Sequence, residues 1–119
     1  MRKHVGMMVP GPVQLAGVAA LADQLHVEGQ RRRYHERLVR MRDILAAVGV
    51  SVDLPGGGFY LWAPAPGGDA WGFTEQLAGE GGVLVSPGEF YGPPGAGHVR
   101  VAMVQPVERL DLVAARLGV

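Results

Sequence analysis

The stretch Gly82 to Val104, GVLVSPGEFYGPPGAGHVRVAMV, constrains the fold more than any other part of the chain. Glycine and proline crowd its middle, so neither a helix nor a long strand can pass through it. What remains is a short strand at Val83-Leu84-Val85, a Gly/Pro-rich loop, and a second strand from His98 to Val104. Alternation in the second strand sends Val99, Val101 and Met103 to one face and Arg100, Ala102 and Val104 to the other. Arg100 then stands on a strand beside a small residue, with room for something to approach its guanidinium. A planar, permanently charged fork on a rigid element suits bidentate capture of a carboxylate or phosphate. By itself the pattern better describes a solvated arginine on the open face of a half-exposed sheet, since charged residues are mostly exposed.

The same punctuation divides the rest of the chain, whose 19 glycines and 9 prolines cluster at turns. Val9-Pro10-Gly11-Pro12 stops one segment and starts a helix, Pro12 fitting the first turn. That helix, about Pro12 to Leu25, is apolar almost all round, which calls for burial or for cover by a second domain. Asp23 to Gly29 reads as a break. An amphipathic helix follows from about Gln30 to Val48, with Tyr34, Leu38, Met41, Leu45 and Val48 on one face. Glu36 and Arg40 form an i, i+4 pair worth about 0.3 kcal/mol, and Gly49 is a left-handed stop. Val50 to Asp53 reads as a short strand, Leu54 to Gly58 as a turn, and Phe59 to Ala63 as the return strand of a hairpin, ended by Pro64. Asp69 caps a helix from about Ala70 to Gly79 with Trp71, Leu77 and Ala78 inward. A last helix starts at Pro106 and buries Val107, Leu110, Val113 or Ala114, and Leu117. The order α-α-β-β-α-β-β-α predicts a single α+β domain over residues 1–119: a small, mostly antiparallel sheet of about four strands with helices packed on it.

Composition narrows the function classes. At 119 residues the chain suffices for one domain and is short for a complete metabolic enzyme. A formal net charge of zero gives no electrostatic case for nucleic acid or an anionic membrane. The basic run Arg31 to Arg37 is diluted by Glu28, Glu36 and Asp43 and lacks an aromatic row for base stacking, so nucleic acid is not expected. Val5 to Ala22 is long enough for a bilayer, but Pro-Gly-Pro and Gln14 interrupt it, and no membrane association is expected. The absence of cysteine removes disulfides and thiolate metal sites and fits a cytoplasmic setting. His4, His26, His35 and His98 show no metal-ligand spacing. Neither a phosphate loop nor a nucleophile elbow is present, and Ser51 and Ser86 are the only serines. Lys3, at the start, is the only lysine.

Three stretches together resemble the C-terminal part of class I/II aminotransferases, the fold-type-I pyridoxal-phosphate enzymes. Pro55-Gly56-Gly57-Gly58-Phe59-Tyr60-Leu61-Trp62 is similar to that family's G-G-[FLY]-[FY]-[LI]-W strand. Val83-Leu84-Val85-Ser86-Pro87-Gly88-Glu89-Phe90-Tyr91-Gly92 is similar to its V-x-[PV]-G-x-x-F-G loop. Gly97-His98-Val99-Arg100-Val101-Ala102 is similar to its [HY]-[VIFL]-R-[ILV]-[AS] strand. Val5 to Gln14 resembles the segment where such a chain leaves the large domain, so residues 1–11 read as an interdomain segment. The resemblance covers essentially the whole chain but roughly the last third of such an enzyme. Arg2 to Met8 and the loop Phe90 to Gly95 look most like succinyldiaminopimelate transaminases, which serve diaminopimelate and lysine synthesis.

The resemblance implies a role in amino-group transfer between an amino acid, with N-succinyl-diaminopimelate as the candidate, and a 2-oxo acid, in an intact dimeric enzyme carrying pyridoxal phosphate. Arg100 matches the arginine that grips the substrate's α-carboxylate. Phe59 and Tyr60, with the 86–92 loop, would lie near the substrate side chain as the small domain closes and excludes water. The departures are large. There is no Ser-x-Ser-Lys segment, Lys3 does not match the cofactor lysine, and the groups that hold the pyridine nitrogen and the phosphate are missing. The large cofactor-binding domain is thus expected to be absent. The chain is expected to bind no pyridoxal phosphate and to be inactive alone, its apolar first helix seeking the missing large domain or a second copy. A second reading is a stand-alone, non-catalytic module that uses Arg100 for a small carboxylate or a protein partner.

Overall fold

The structure, a computed structural model, describes Gly6 and residues 8–119. Lys3 and most of the Arg2 to Met8 resemblance lie outside the described residues. The chain divides into two compact units, one up to Arg31 and one from Arg32 to Val119.

In the first unit, α1 spans Gly11–Ala22 with Pro12 in its first turn. The break expected over Asp23 to Gly29 shrinks to Asp23 alone, because α2 starts at Gln24 and runs to Ala47. The Asp23 carboxylate accepts from the His26 amide at 3.1 Å, an N-cap that starts the new helix at once. No side chain of α1 is buried, and Leu21 is 81% exposed. The cover that an all-round apolar helix calls for is not supplied by the described residues.

The second unit is α+β. Its sheet has three antiparallel strands in the order β1-β3-β2, with β1 at Tyr60–Pro64, β2 at Ser86–Pro87 and β3 at His98–Ala102. Trp62 and Ser86 both stand opposite Arg100. Two of the expected strands are corrected, for one physical reason. At the end of α2, Gly49 takes φ +86°, its amide donates to Ala46 O and the Val50 amide donates to Leu45 O at 2.8 Å. This is a Schellman closure, and it consumes Val50 as the apolar plug of the helix end, so 50–53 is not a strand. Gly82, at φ +67°, does the same for the helical segment before it, with the Val83 amide bonded to Leu77 O at 3.1 Å. The strand expected at Val83 to Val85 therefore begins only at Ser86. With its hairpin partner gone, β1 pairs with β3, and as an edge strand it accommodates Pro64, which has no N–H to give to a ladder.

After β1, α3 spans Ala70–Gln76 and widens into a π-type turn over Leu77–Gly81. Asp69 caps it as expected, accepting from the Gly72 amide at 2.9 Å. Asp69→Ala is expected to lower stability by about 1 kcal/mol, read as a lower urea midpoint with unchanged slope. Trp71, expected inward, is 47% exposed, and Ala70, Phe73 and Leu77 fill the buried face instead. The last helix, α4, spans Val107–Leu117 and buries Leu110, Val113 and Ala114. The core joins these residues to Leu38, Met41, Ile44 and Leu45 of α2 and to Leu61, Ala63, Val99 and Val101 on the sheet's inner face. Arg40, expected to pair with Glu36, reaches across to Asp111 of α4 at 2.7 Å. Among the described residues, no helix is long and apolar enough to cross a membrane.

Candidate carboxylate site on the outer face of the sheet

Alternation fixes what the other face of the sheet presents. With Val99 and Val101 in the core, β3 turns His98, Arg100 and Ala102 outward, and β1 turns Tyr60 and Trp62 the same way. Arg100 is half-buried there. Its Cζ lies 4.4 Å from the Tyr60 ring centre and 4.5 Å from that of Tyr91. Tyr60 comes from β1, on one side of β3, and Tyr91 from the loop that follows β2, on the other side.

Among the described residues the Arg100 side chain has no hydrogen-bond or ion-pair partner. Its Nε is buried without a partner, whereas Nη1 and Nη2 are not sealed from solvent. Leaving a buried N–H unsatisfied costs about 1–3 kcal/mol, and two ring contacts worth about 0.5–2 kcal/mol each offset that penalty. The His98 Nδ1 is likewise buried and unpartnered. The His98 ring stacks on Trp62, 5.5 Å between centres and 13° from parallel, and Trp62 meets Tyr91 edge-on at 5.9 Å.

The loop that delivers Tyr91 is held by the approach of two glycines. It consists of a 3-10 turn over Gly88–Tyr91, Gly92 at φ +110°, and a second turn over Pro93–Gly95. A Cβ on Gly88 would collide with the Gly95 carbonyl oxygen and stand 2.9 Å from the Trp62 ring; one on Gly95 would collide with the Gly88 carbonyl. Bare glycine backbones let the two turns cross over the indole. On the outer rim, Trp71 Nε1 donates to Glu89 Oε2 at 2.7 Å and Trp71 packs edge-on against Phe90, tying α3 to the same loop. A groove of about 420 Å³ between residues 51–55 and β1 shares Tyr60 and Trp62 as its wall.

Of the residues singled out from the sequence, Arg100 and Tyr60 are in direct contact. Phe59 stacks on Tyr34 at 5.2 Å and meets the Tyr60 ring at a tilt, 4.3 Å between centres, one residue removed from Arg100. Trp62 and His98 are additions that the structure makes to the site, and within the 86–92 loop, already expected near the substrate, it is Tyr91 that meets Arg100. The period of two that exposes Tyr60 also exposes Trp62, and the period that exposes Arg100 also exposes His98, so both were within reach of the pattern. Periodicity gives no signal for Tyr91, because a Gly/Pro loop has no period, and only the resemblance brought its loop to the site. Among the described residues no three His, Asp or Glu side chains gather as a metal site would need.

An accessible guanidinium edge with rings beside it and no counter-ion has the chemistry to pair with a small anion such as a carboxylate. The family model of aminotransferase class I and II matches residues 2–117, and the chain belongs to that family. It is 48% identical to a probable aminotransferase of Mycobacterium tuberculosis, over 98% of this chain and 27% of that protein. It is 47% identical to the 4-dedimethylamino-4-oxo-anhydrotetracycline transaminase of Streptomyces rimosus, over 98% of this chain and 32% of that protein. Among solved structures, a probable N-succinyldiaminopimelate aminotransferase of Thermus thermophilus superposes with a TM-score of 0.69 and 37% identity, over 81% of this chain and 26% of the other. Further relatives, 32–37% identical, are named LL-diaminopimelate aminotransferase. The chain thus spans about a third or less of the length of the proteins it matches.

The family implies pyridoxal phosphate. The described residues contain no lysine, so they offer no amine to the cofactor's aldehyde. The buried side-chain atoms they leave without partners, Arg100 Nε and His98 Nδ1, do not make a cradle for a phosphate and a pyridine ring.

Proposed function

We propose that this chain is the substrate-carboxylate-binding part of a pyridoxal-phosphate-dependent aminotransferase, acting between an amino acid and a 2-oxo acid. The observation that carries the reading is Arg100: an unpaired guanidinium with accessible Nη groups, flanked by two tyrosines, at the position matching the family's strand motif. In this reading Nη1 and Nη2 donate a parallel pair of hydrogen bonds to the substrate's α-carboxylate. Tyr60 and Tyr91 hold the fork in place, and Trp62 with the 88–95 loop keeps water from its flanks, which strengthens the pair.

Residues 1–119 act as one module of a longer protein, with residues 1–11 as the connection to the cofactor-binding part. That part supplies the amine and the contacts to pyridine and phosphate, and it covers the exposed apolar side of α1. Alone, the chain binds no pyridoxal phosphate and transfers no amino group. For the substrate we propose N-succinyl-diaminopimelate, supported by the likeness to the Thermus thermophilus protein, a probable aminotransferase of that compound, and by the Phe90 to Gly95 loop. The tetracycline and LL-diaminopimelate names among the relatives are the competing assignments.

The test is a chimera in which this chain replaces the matching C-terminal segment of the Mycobacterium relative. The chimera is expected to transaminate with 2-oxoglutarate and to prefer N-succinyl-diaminopimelate over LL-diaminopimelate. A folded, cofactor-loaded chimera without transaminase activity overturns the assignment, and a reversed preference overturns the substrate alone.

A further inference from the structure

We infer that Tyr91 is a positioning residue, which with Tyr60 fixes Arg100 so that a carboxylate is taken end-on, through Nη1 and Nη2, and never side-on through Nε. The inference rests on the carboxylate reading of Arg100 and deepens it.

Three observations carry it. First, a guanidinium offers a carboxylate two bidentate edges, the Nη1/Nη2 end and the Nε/Nη side. Here the side is closed: Nε is buried and has no partner, so no ligand oxygen arriving from solvent reaches it, while the Nη end is open. Second, the fork is flanked by rings and paired with no acid. Two tyrosine rings within 4.5 Å of Cζ cover the flanks of the fork without neutralising it, so its charge stays available to a ligand. Third, the two rings are held differently. Tyr60 sits on β1, whose register with β3 is fixed by the ladder. Tyr91 sits on a loop, and its place depends on the Gly88/Gly95 crossing and on its edge contact with Trp62. Tyr91 is therefore the ring whose loss frees the fork to swing, with the ladder unaffected.

The consequence is geometric selectivity. End-on engagement puts the carboxylate in the plane of the guanidinium, in the slot between the two flanking rings. A planar carboxylate fits that slot, whereas a tetrahedral oxyanion carries oxygens above and below the plane, into the rings. Arg100 is thus built to prefer carboxylate over sulfate or phosphate of similar charge.

The experiment titrates the 119-residue chain with propionate and, separately, with inorganic sulfate, following the Arg100 side-chain nitrogens by proton–nitrogen NMR. Arg100→Gln assigns the signal. Propionate is expected to shift the Arg100 Nη signals more than Nε, and to bind more tightly than sulfate. Tyr91→Leu is expected to weaken propionate about tenfold, the loss of one ring contact to a cation, and to erase the preference over sulfate. Tyr91→Phe, which keeps the ring, is expected to restore both. Because Tyr91 is 47% exposed, these variants should leave the urea midpoint close to that of the parent. If propionate binding is lost in Arg100→Gln but unchanged in Tyr91→Leu, or if Nε moves more than Nη, the positioning role is wrong and the carboxylate reading stands. If Arg100→Gln binds propionate as the parent does, or the parent does not respond to propionate, both are wrong.

Discussion

Arg100→Lys is expected to weaken carboxylate binding by about 10- to 100-fold, the value of a charge-assisted hydrogen bond lost from a pair, while leaving the fold intact. The substitution keeps the positive charge and so separates charge from geometry. An ammonium is a compact point charge on a flexible stem. It can neither present two parallel N–H groups nor lie flat between two rings. The Arg100 side chain makes no hydrogen bond to the rest of the described chain, and a lysine keeps the backbone ladder, so the fold loses little when it is replaced. In the chimera the same change is expected to lower kcat/KM by the same factor or more, since orientation of the carboxylate is shared by ground state and transition state. The checks are the propionate titration, steady-state kinetics, and a urea midpoint to show that folding is unchanged. A Lys variant that keeps parental affinity would mean that charge alone holds the ligand.

Gly88→Ala is expected to cost about 1–3 kcal/mol, the range for forcing an extra methyl into a packed site, and to release the loop that carries Tyr91. The neighbours that the new methyl meets are the carbonyl oxygens of Gly95 and His98 and the indole of Trp62. Backbone oxygens cannot step aside as the tip of a lysine would, so the 88–91 turn has to move. Movement there takes Tyr91 off Arg100 and off Trp62 together. In a Trp71→Phe background, where Trp62 is the remaining tryptophan, the release should appear as a changed emission maximum alongside a lower urea midpoint. Gly57→Ala, where the methyl would enter open space at ordinary backbone angles, serves as the silent control. Equal behaviour of the two variants would show that the glycine crossing does not hold the loop.

Much of the fold is legible in residue order. The period of two in His98 to Val104 places Arg100 outward, and the buried Val99, Val101 and Met103 sit where that period puts them. The acid before Ala70 is recognisable as a cap, and Gly49 as a helix stop. Two expected strands fail because Val50 and Val83 have the composition of strands but the position of residues just after a left-handed glycine. In that position the amide closes a helix, and β-propensity is overridden. Hydrophobicity alone sends Trp71 inward, yet its indole N–H finds Glu89 at the rim, where an amphipathic ring has both a dry contact and a polar partner. The contact of Tyr91 with Arg100 is not legible at all. It depends on two turns crossing at Gly88 and Gly95, a three-dimensional coincidence with no local period.

The sheet's two borders bear on how this chain behaves when crowded. On one side β2 offers two residues, and on the other β1 offers five and ends in Pro64. A strand from another molecule seeking to extend the sheet finds almost no ladder on the first border and a position without an amide donor on the second. Fibre-like growth by strand addition is therefore disfavoured at both borders, even though bulky apolar side chains stand in solvent elsewhere on the chain.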